Sequence, residues 1–493
     1  MRCKEGIYKR NIGKGNTVKV ENQKATRPFG LRDKIGYLLG DFGNDFTFIL
    51  STIILTKFYT DVMGVPAAAV GTIMMVARFV DAFTDVAMGR ICDRSPNTPN
   101  GKFKPWIGRM CIPVAAASFL MYLSNLSGLP VGIKIAYLAI TYILWGSFFY
   151  TAINIPYGSM ASAISAKPGD RQSLSTYRTM GGMLAGAVIG IVLPLIAYQK
   201  NTLADGTVKE TLIGSRVTLA AGVFSLLAIV CYLLCYKLIT ERVVLDESGK
   251  TKMPSVGVML KNALRNRALI SIIAASVVML LAQLTMQNMA AYIFPDYYNS
   301  AFAQSASTIF MMVGMIVAAV FAKSLAERFG KAEISVVSNL FAAAVMLFIW
   351  FIRPENVWVY CSLQFLCWLG LGFFSMVSWA LITDVIDYSE LKNGVREDGS
   401  VYALYSFARK LGQALAAGVS GWLLTAIGYN SEAASEGLSQ TDSVLNGIFN
   451  ISTLLPAVGF VLLGLILWFW YPLHKKQVDA NVEALRKKHA EEP

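Results

Sequence analysis

The sequence predicts an all-α polytopic membrane protein with twelve transmembrane helices in two six-helix halves. Three observations predict it. The 493 residues are 55% hydrophobic and only 15% charged, whereas a soluble chain carries roughly 25% charge. Apolar runs of about 20 residues or more, the length a spanning helix needs, recur along the whole chain. Lys and Arg gather in alternate short loops, the bias that orients spans in a bilayer.

Taken in order, residues 1–30 are expected to form a disordered cytoplasmic arm. Residues 1–28 are polar and basic with no apolar core, so they are not a cleaved signal peptide. The apolar runs then place helices at approximately 34–61, 68–93, 104–125, 132–162, 172–199 and 216–240 in the first half. The second half carries 266–294, 303–327, 332–352, 356–387, 399–428 and 447–472. Basic clusters follow the even-numbered helices, as with Arg90 and Arg94 after helix 2 or Lys475 and Lys476 after helix 12, while the opposite loops are nearly free of Lys and Arg. Both termini are therefore expected in the cytoplasm, in the inner (plasma) membrane of the cell.

The division is 31–240 for the first bundle, 241–265 for a cytoplasmic linker, 266–473 for the second bundle and 474–493 for a cytoplasmic tail. An internal repeat supports it: Asp93-Arg94 closes the second helix of one half and Glu327-Arg328 that of the other. A coincidental acid–Arg pair at a helix end is the alternative. Two six-helix halves holding a solute between them near the midplane make a transporter architecture.

Other function classes fare worse. The formal charge of +13 is spent on loop orientation, and no basic soluble domain is present to bind nucleic acid. The two histidines, His474 and His489, lie in the C-terminal tail, and the seven cysteines lack metal-ligand spacing. With no nucleophile motif either, an enzyme is not expected. A passive pore is disfavoured because the charges cluster at one depth and at the cytoplasmic ends.

The polar residues within the spans carry the functional expectation. Arg78, Asp81 and Asp85 fall on one helical face at i, i+3 and i+7. Each lone charge in hydrocarbon costs roughly 2.5–3.5 kcal/mol on insertion scales, so the face must border a polar interior. Two carboxylates one turn apart, with hydroxyls from Thr84 and Thr151, suit a hard monovalent cation or a shared proton. The bland alternative is an Arg78–Asp81 ion pair that fastens helices. Asp45, Arg178 and one or both of Arg409 and Lys410 complete the interior set; Asp41 belongs either there or at the surface. Gly182, Gly186 and Gly190, four apart, are read as a helix-packing stripe.

These residues also carry a resemblance. LGDFGNDF at 39–46, FYTDVMG at 58–64, ARFVDAFTD at 77–85, GKFKPW at 101–106 and NIPYGS at 154–159 resemble segments of the glycoside–pentoside–hexuronide:cation symporters. GVREDG at 394–399, ARKLGQA at 408–414 and WYPLHKK at 470–476 continue the likeness over almost the whole chain. That branch of the major facilitator superfamily includes the melibiose permease and the bacterial glucuronide carrier. The resemblance implies the major facilitator fold and symport of a sugar with a monovalent cation, Na⁺ or H⁺, with no other cofactor or metal. It places the cation on Asp81, Asp85, Thr84 and Thr151, and the solute on Asp45, Asn154, Arg178 and Lys410 or Arg409.

Thr84 stands where the permease has asparagine, Asn154 where it has aspartate and Gly158 where it has tryptophan. Losing the carboxylate at 154 leaves Arg178 and Lys410 less neutralised, which suits an anionic, glucuronide-like sugar that a guanidinium can grip with two hydrogen bonds. A Na⁺-coupled symporter of a neutral galactoside or short oligosaccharide is the alternative. Asp93, Arg94, Lys104 and Arg396 are expected to form a cytoplasmic gate between the halves. The chain is expected to work as a monomer, with a sugar, a monovalent cation and lipid as its partners and no nucleic acid.

Overall fold

A computed structural model describes residues 27–202, 208–243, 266–393 and 398–491. Most of the expected arm and linker, and Arg396 of the expected gate, lie outside these residues. The first half contains α1 (Leu31–Asp61), α2 (Ala67–Arg94), α3 (Lys104–Leu120), α4 (Val131–Ile164), α5 (Pro168–Ala197) and α6 (Gly214–Leu238). The second contains α7 (Arg267–Tyr297), α8 (Ala301–Phe329), α9 (Lys331–Ile352), α10 (Val357–Asn393), α11 (Asp398–Ala426) and α12 (Asp442–Trp470).

Local chemistry sets the boundaries. Pro66 and Pro130 stand immediately before α2 and α4, and Pro168 opens α5, where a missing N–H costs nothing. The Asn266 and Ser300 side chains accept backbone N–H groups at the starts of α7 and α8. Gly330 joins α8 to α9 at φ +103°, a conformation L side chains rarely adopt.

Ten of these helices are long and apolar enough to cross a membrane. The remaining two, α3 with 17 residues and α11 with Arg409 and Lys410, pack in the same bundles. Side chains such as Phe83 and Phe351, 77% and 81% exposed, face outward in a manner suited to hydrocarbon rather than water.

Two hydrophobic cores form, one almost wholly from α1–α6 and the other from α7–α12. The halves meet along α2 with α11, α1 with α7 and α5 with α8. Glycine permits the closest approaches. A Cβ on Gly71 would lie 2.9 Å from the Ala417 carbonyl and 3.0 Å from Gly421 Cα, and one on Gly190 would lie 2.7 Å from Thr308. The Trp422 indole donates to Thr72 Oγ1 at 2.9 Å, and Ser305 Oγ donates to the Ile191 carbonyl at 2.8 Å.

Two elements depart from expectation. Residues 198–212, expected as the last two residues of a helix and the connection after it, begin and end as an antiparallel hairpin of β1 (Tyr198–Thr202) and β2 (Val208–Leu212). The strands are short and polar, so alternation is too brief to register as a pattern. The tail forms α13 (Lys475–Glu491), whose few apolar residues, among them Val478 and Leu485, sit at helical spacing and lean on α10. The hairpin marks one face of the molecule; the basic loops mark the other.

Candidate functional site

The site is built on a match between two helices. On α2, Asp81 and Asp85 are one turn apart; on α4, Ser147 and Thr151 are one turn apart. Ser147 Oγ donates to Asp81 Oδ1 at 2.5 Å and Thr151 Oγ1 donates to Asp85 Oδ1 at 2.9 Å. The α4 backbone widens into a π-helical stretch at Leu144–Tyr150, the kind of bulge that often accompanies functional sites. Gly146 in that stretch leaves clearance, since a Cβ there would stand 3.6 Å from Asp81 Oδ1.

The other carboxylate oxygens meet cations. Arg78 pairs with Asp81 Oδ2 at 3.3 Å, and its guanidinium lies 4.8 Å over the Phe48 ring, which stacks on Tyr150. Lys410, reaching from α11 in the second half, pairs with Asp85 Oδ2.

Two of the expected ligands make other contacts in this geometry. Thr84 Oγ1 is turned back onto its own helix, donating to the Val80 and Asp81 carbonyls, so it adds no oxygen to the carboxylates. Lys410, expected on the solute, occupies Asp85. Arg409 points elsewhere, 5.8 Å from the Trp379 ring and 5.9 Å from Tyr405 within the second half. The missed residue is Ser147; its only sequence signal is its i−4 spacing from Thr151.

A second cluster lies beyond Phe48 and Tyr150. Arg178 Nε donates to Asp41 Oδ1 at 3.0 Å, and the guanidinium sits 5.3 Å over Tyr157. Asp41, not Asp45, is thus the arginine's partner. No hydrogen bond among the described residues engages the Asp45 carboxylate. A Cβ on Gly182 would come within 2.5 Å of Asp45 Oδ2, so this glycine of the packing stripe also makes room for the carboxylate. Asn154 Oδ1 accepts from Asn44 at 3.5 Å, and Asn44 Oδ1 accepts from Tyr232 OH at 2.8 Å.

Of the expected gate, the three described residues, Asp93, Arg94 and Lys104, are not engaged across the halves. Asp93 accepts Lys102 Nζ through its carbonyl at 2.8 Å, Arg94 is exposed, and Lys104 Nζ donates to the Ile239 carbonyl at 3.0 Å. Glu241 gathers the backbone N–H groups of Lys102, Phe103 and Lys104 at 2.6–3.0 Å. Burial pushes the Glu241 carboxyl above the ordinary carboxylate range, and these three donors pull against it. Among the described residues no polar contact from Asp93, Arg94 or Lys104 reaches the second half.

The cross-half lock sits instead on the hairpin face. Lys57 Nζ of α1 meets Asp296 of α7 at 2.5 Å, Asp61 at 2.7 Å and Tyr429 OH at 3.1 Å. Tyr429 OH donates to Asp61 at 2.7 Å, and the Thr60 and Tyr292 hydroxyls bond at 3.1 Å. Lys57 is 1% exposed. The halves are therefore tied on the hairpin face, while the Arg178 and Lys410 side chains keep 39% and 40% exposure. Sequence reasoning passed over Lys57 and Asp296; each is a charge at the hairpin end of an apolar run, and that shared depth was the available signal.

Comparison with known proteins agrees with this architecture. The family described as MFS/sugar transport protein matches residues 36–475. A Bacillus subtilis protein named uncharacterized symporter YjmB is 32% identical over 96% of this chain and 98% of its own length. The glucuronide carrier protein homolog of Escherichia coli is 30% identical over 90% of this chain and 93% of its own. Among solved structures, the inward open conformation of the xylose transporter XylE from E. coli superposes with a TM-score of 0.59 at 13% identity, over 92% of this chain and 98% of that one.

Proposed function

The chain belongs to the MFS/sugar transport protein family, and from that premise we propose that it imports a glycoside or hexuronide by symport with a monovalent cation. The carrying observation is that Lys410 of one half occupies Asp85 of the other. Asp85 and Thr151 are a cation site with an ammonium already in it. A proton or Na⁺ arriving at Asp85 competes directly with Lys410, and a displaced Lys410 is free for the solute. Cation binding thereby creates a solute ligand and loosens a tie between the halves, which is what coupling requires.

Asp81, held by Ser147 and Arg78, keeps the adjoining turn of α2 in register. Asp85 and Thr151, with Asp81 and Ser147 one turn away, supply the cation oxygens. Arg178 holds Asp41 through Nε alone, leaving the outer edge of its guanidinium for a solute carboxylate. Asn154 and Asp45 face sugar hydroxyls.

The solute-facing charges support an anionic sugar. Once Lys410 is freed, it and Arg178 balance Asp41 and Asp45, and a monoanion restores the single negative charge that the empty cluster of four carboxylates and three cations carries. The unengaged Asp45 favours the second reading, a neutral galactoside or short oligosaccharide carried with Na⁺, because a carboxylate accepts well from hydroxyls.

Orientation follows the basic loops: both termini, Asp93, Arg94, Lys104 and Arg396 face the cytoplasm, where they latch when the opposite face opens. Arg178→Ala, assayed by uptake of a glucuronide and of a neutral galactoside in proteoliposomes, separates the two solute readings. Loss on the glucuronide alone supports the anionic sugar; equal loss on both removes its basis.

A further inference from the structure

We infer that a cavity between the halves, beside the charged cluster, is a second subsite for an uncharged, hydroxyl-bearing ring of the transported solute. The inference rests on the solute-transport reading above and assigns the part of the solute which that reading leaves unplaced. The cavity, partly open, has a volume of about 200 Å³ and lies one to two turns along α1 from Asp45, at Phe48 and Thr52. Its opposite wall comes from α7, α8 and α10 of the second half. The space is several times the ~30 Å³ share of one liquid water and smaller than the roughly 300–1,000 Å³ of a drug-sized pocket. One ring suits it.

The lining chemistry selects the kind of ring. No lining side chain ionises, so a charged group entering would lose its hydration without a partner. The polar groups are the carboxamides of Gln287, Gln304 and Gln364 and the hydroxyls of Thr52, Ser307 and Thr308, and each hydroxyl already donates to a backbone carbonyl. Gln304 and Gln364 are each 4% exposed, and among the described residues the Gln304 Oε1 atom has no hydrogen-bond partner. Among the described residues Gln287 Nε2 has only the Met311 sulfur, at 3.7 Å. Buried amides are almost always satisfied, and leaving one unpaired is costly.

A carboxamide offers a donor and an acceptor side by side, which matches adjacent ring hydroxyls that each donate and accept. Trp368 lines the same cavity and supplies aromatic surface for the C–H face of a pyranose. Access comes from the charged cluster, because the Lys57–Asp296 lock seals the hairpin face. A smaller cavity of about 40 Å³, lined by Arg78 and sharing Phe48, Thr52 and Leu284, lies on that path.

The test uses the full chain purified in detergent, with D-glucuronate as a one-ring probe and glucuronate joined to a neutral pentose as a two-ring probe. Gln304→Leu combined with Gln364→Leu should weaken the two-ring probe about tenfold or more, since two neutral hydrogen bonds are lost. The one-ring probe should change less than twofold, and the unliganded melting temperature should not fall, because leucine keeps the packing and neither amide makes a side-chain hydrogen bond to the described protein. Equal weakening of both probes, no weakening of either, or a lower melting temperature overturns the subsite. Wild-type protein that binds neither probe, with Na⁺ or at low pH, overturns the transport reading itself.

Discussion

At the residue scale, the division of labour around α2 is set by which hydroxyls reach which carboxylates. Ser147 and Thr151 donate to Asp81 and Asp85, while Thr84 bonds its own backbone. Ser147→Ala is therefore expected to weaken apparent cation affinity about tenfold, the scale of a hydrogen bond to a charged group, and Thr84→Ala less than twofold. Cation-activation curves of solute uptake check both; a larger effect at Thr84 would show that its hydroxyl turns to the cation during the cycle. The costly charges at Arg78, Asp81 and Asp85 were plain in the sequence, because nothing else tolerates them inside an apolar run. The Arg78–Asp81 pair and the Thr151 hydroxyl could be read there too, from spacing and resemblance, but Ser147 and the Lys410–Asp85 pair could not. Lys410 lies more than three hundred residues from Asp85, and only the packing of α2 on α11 decides that it, and not Arg409, reaches across.

Among the elements, glycine decides how closely the halves meet. Gly71 touches backbone on α11, where no side chain can yield. Gly71→Val should therefore disfavour the state shut on the hairpin face and slow turnover by about tenfold or more, without lowering expression of the folded protein, since the clash exists only between the halves. Transport rate and size-exclusion profile measured together check it; an unchanged rate would mean that α2 and α11 separate freely. The spans were legible because apolar length is dictated by bilayer thickness. The hairpin of β1 and β2 was not, because it is held by contacts distant in sequence: Glu210 accepts the Ala301 N–H and donates its own to Asn299 on the other half. The tail helix α13 escaped for a similar reason, its apolar residues being too few to stand out without α10 beneath them.

For the whole molecule, the proposed transport cycle is an exchange of locks. The one on the hairpin face, Lys57 with Asp61, Asp296 and Tyr429, is formed, and on the basic face Asp93, Arg94 and Lys104 make no polar contact with the second half among the described residues. Asp296→Asn keeps the hydrogen-bonding shape but removes one charge, and should shift the population toward opening on the hairpin face by about fivefold, the effect of roughly 1 kcal/mol. Labelling of Ser307→Cys by a membrane-impermeant maleimide added from that side should rise accordingly; unchanged labelling would mean that the lock is not what holds the face shut. The central claim, that a cation competing with Lys410 at Asp85 drives solute uptake, is tested most directly by solute accumulation in proteoliposomes under an imposed Na⁺ or proton gradient. The account predicts that wild type concentrates the solute and that Asp85→Asn still exchanges it across the membrane but no longer concentrates it. Accumulation by Asp85→Asn equal to wild type would contradict the account.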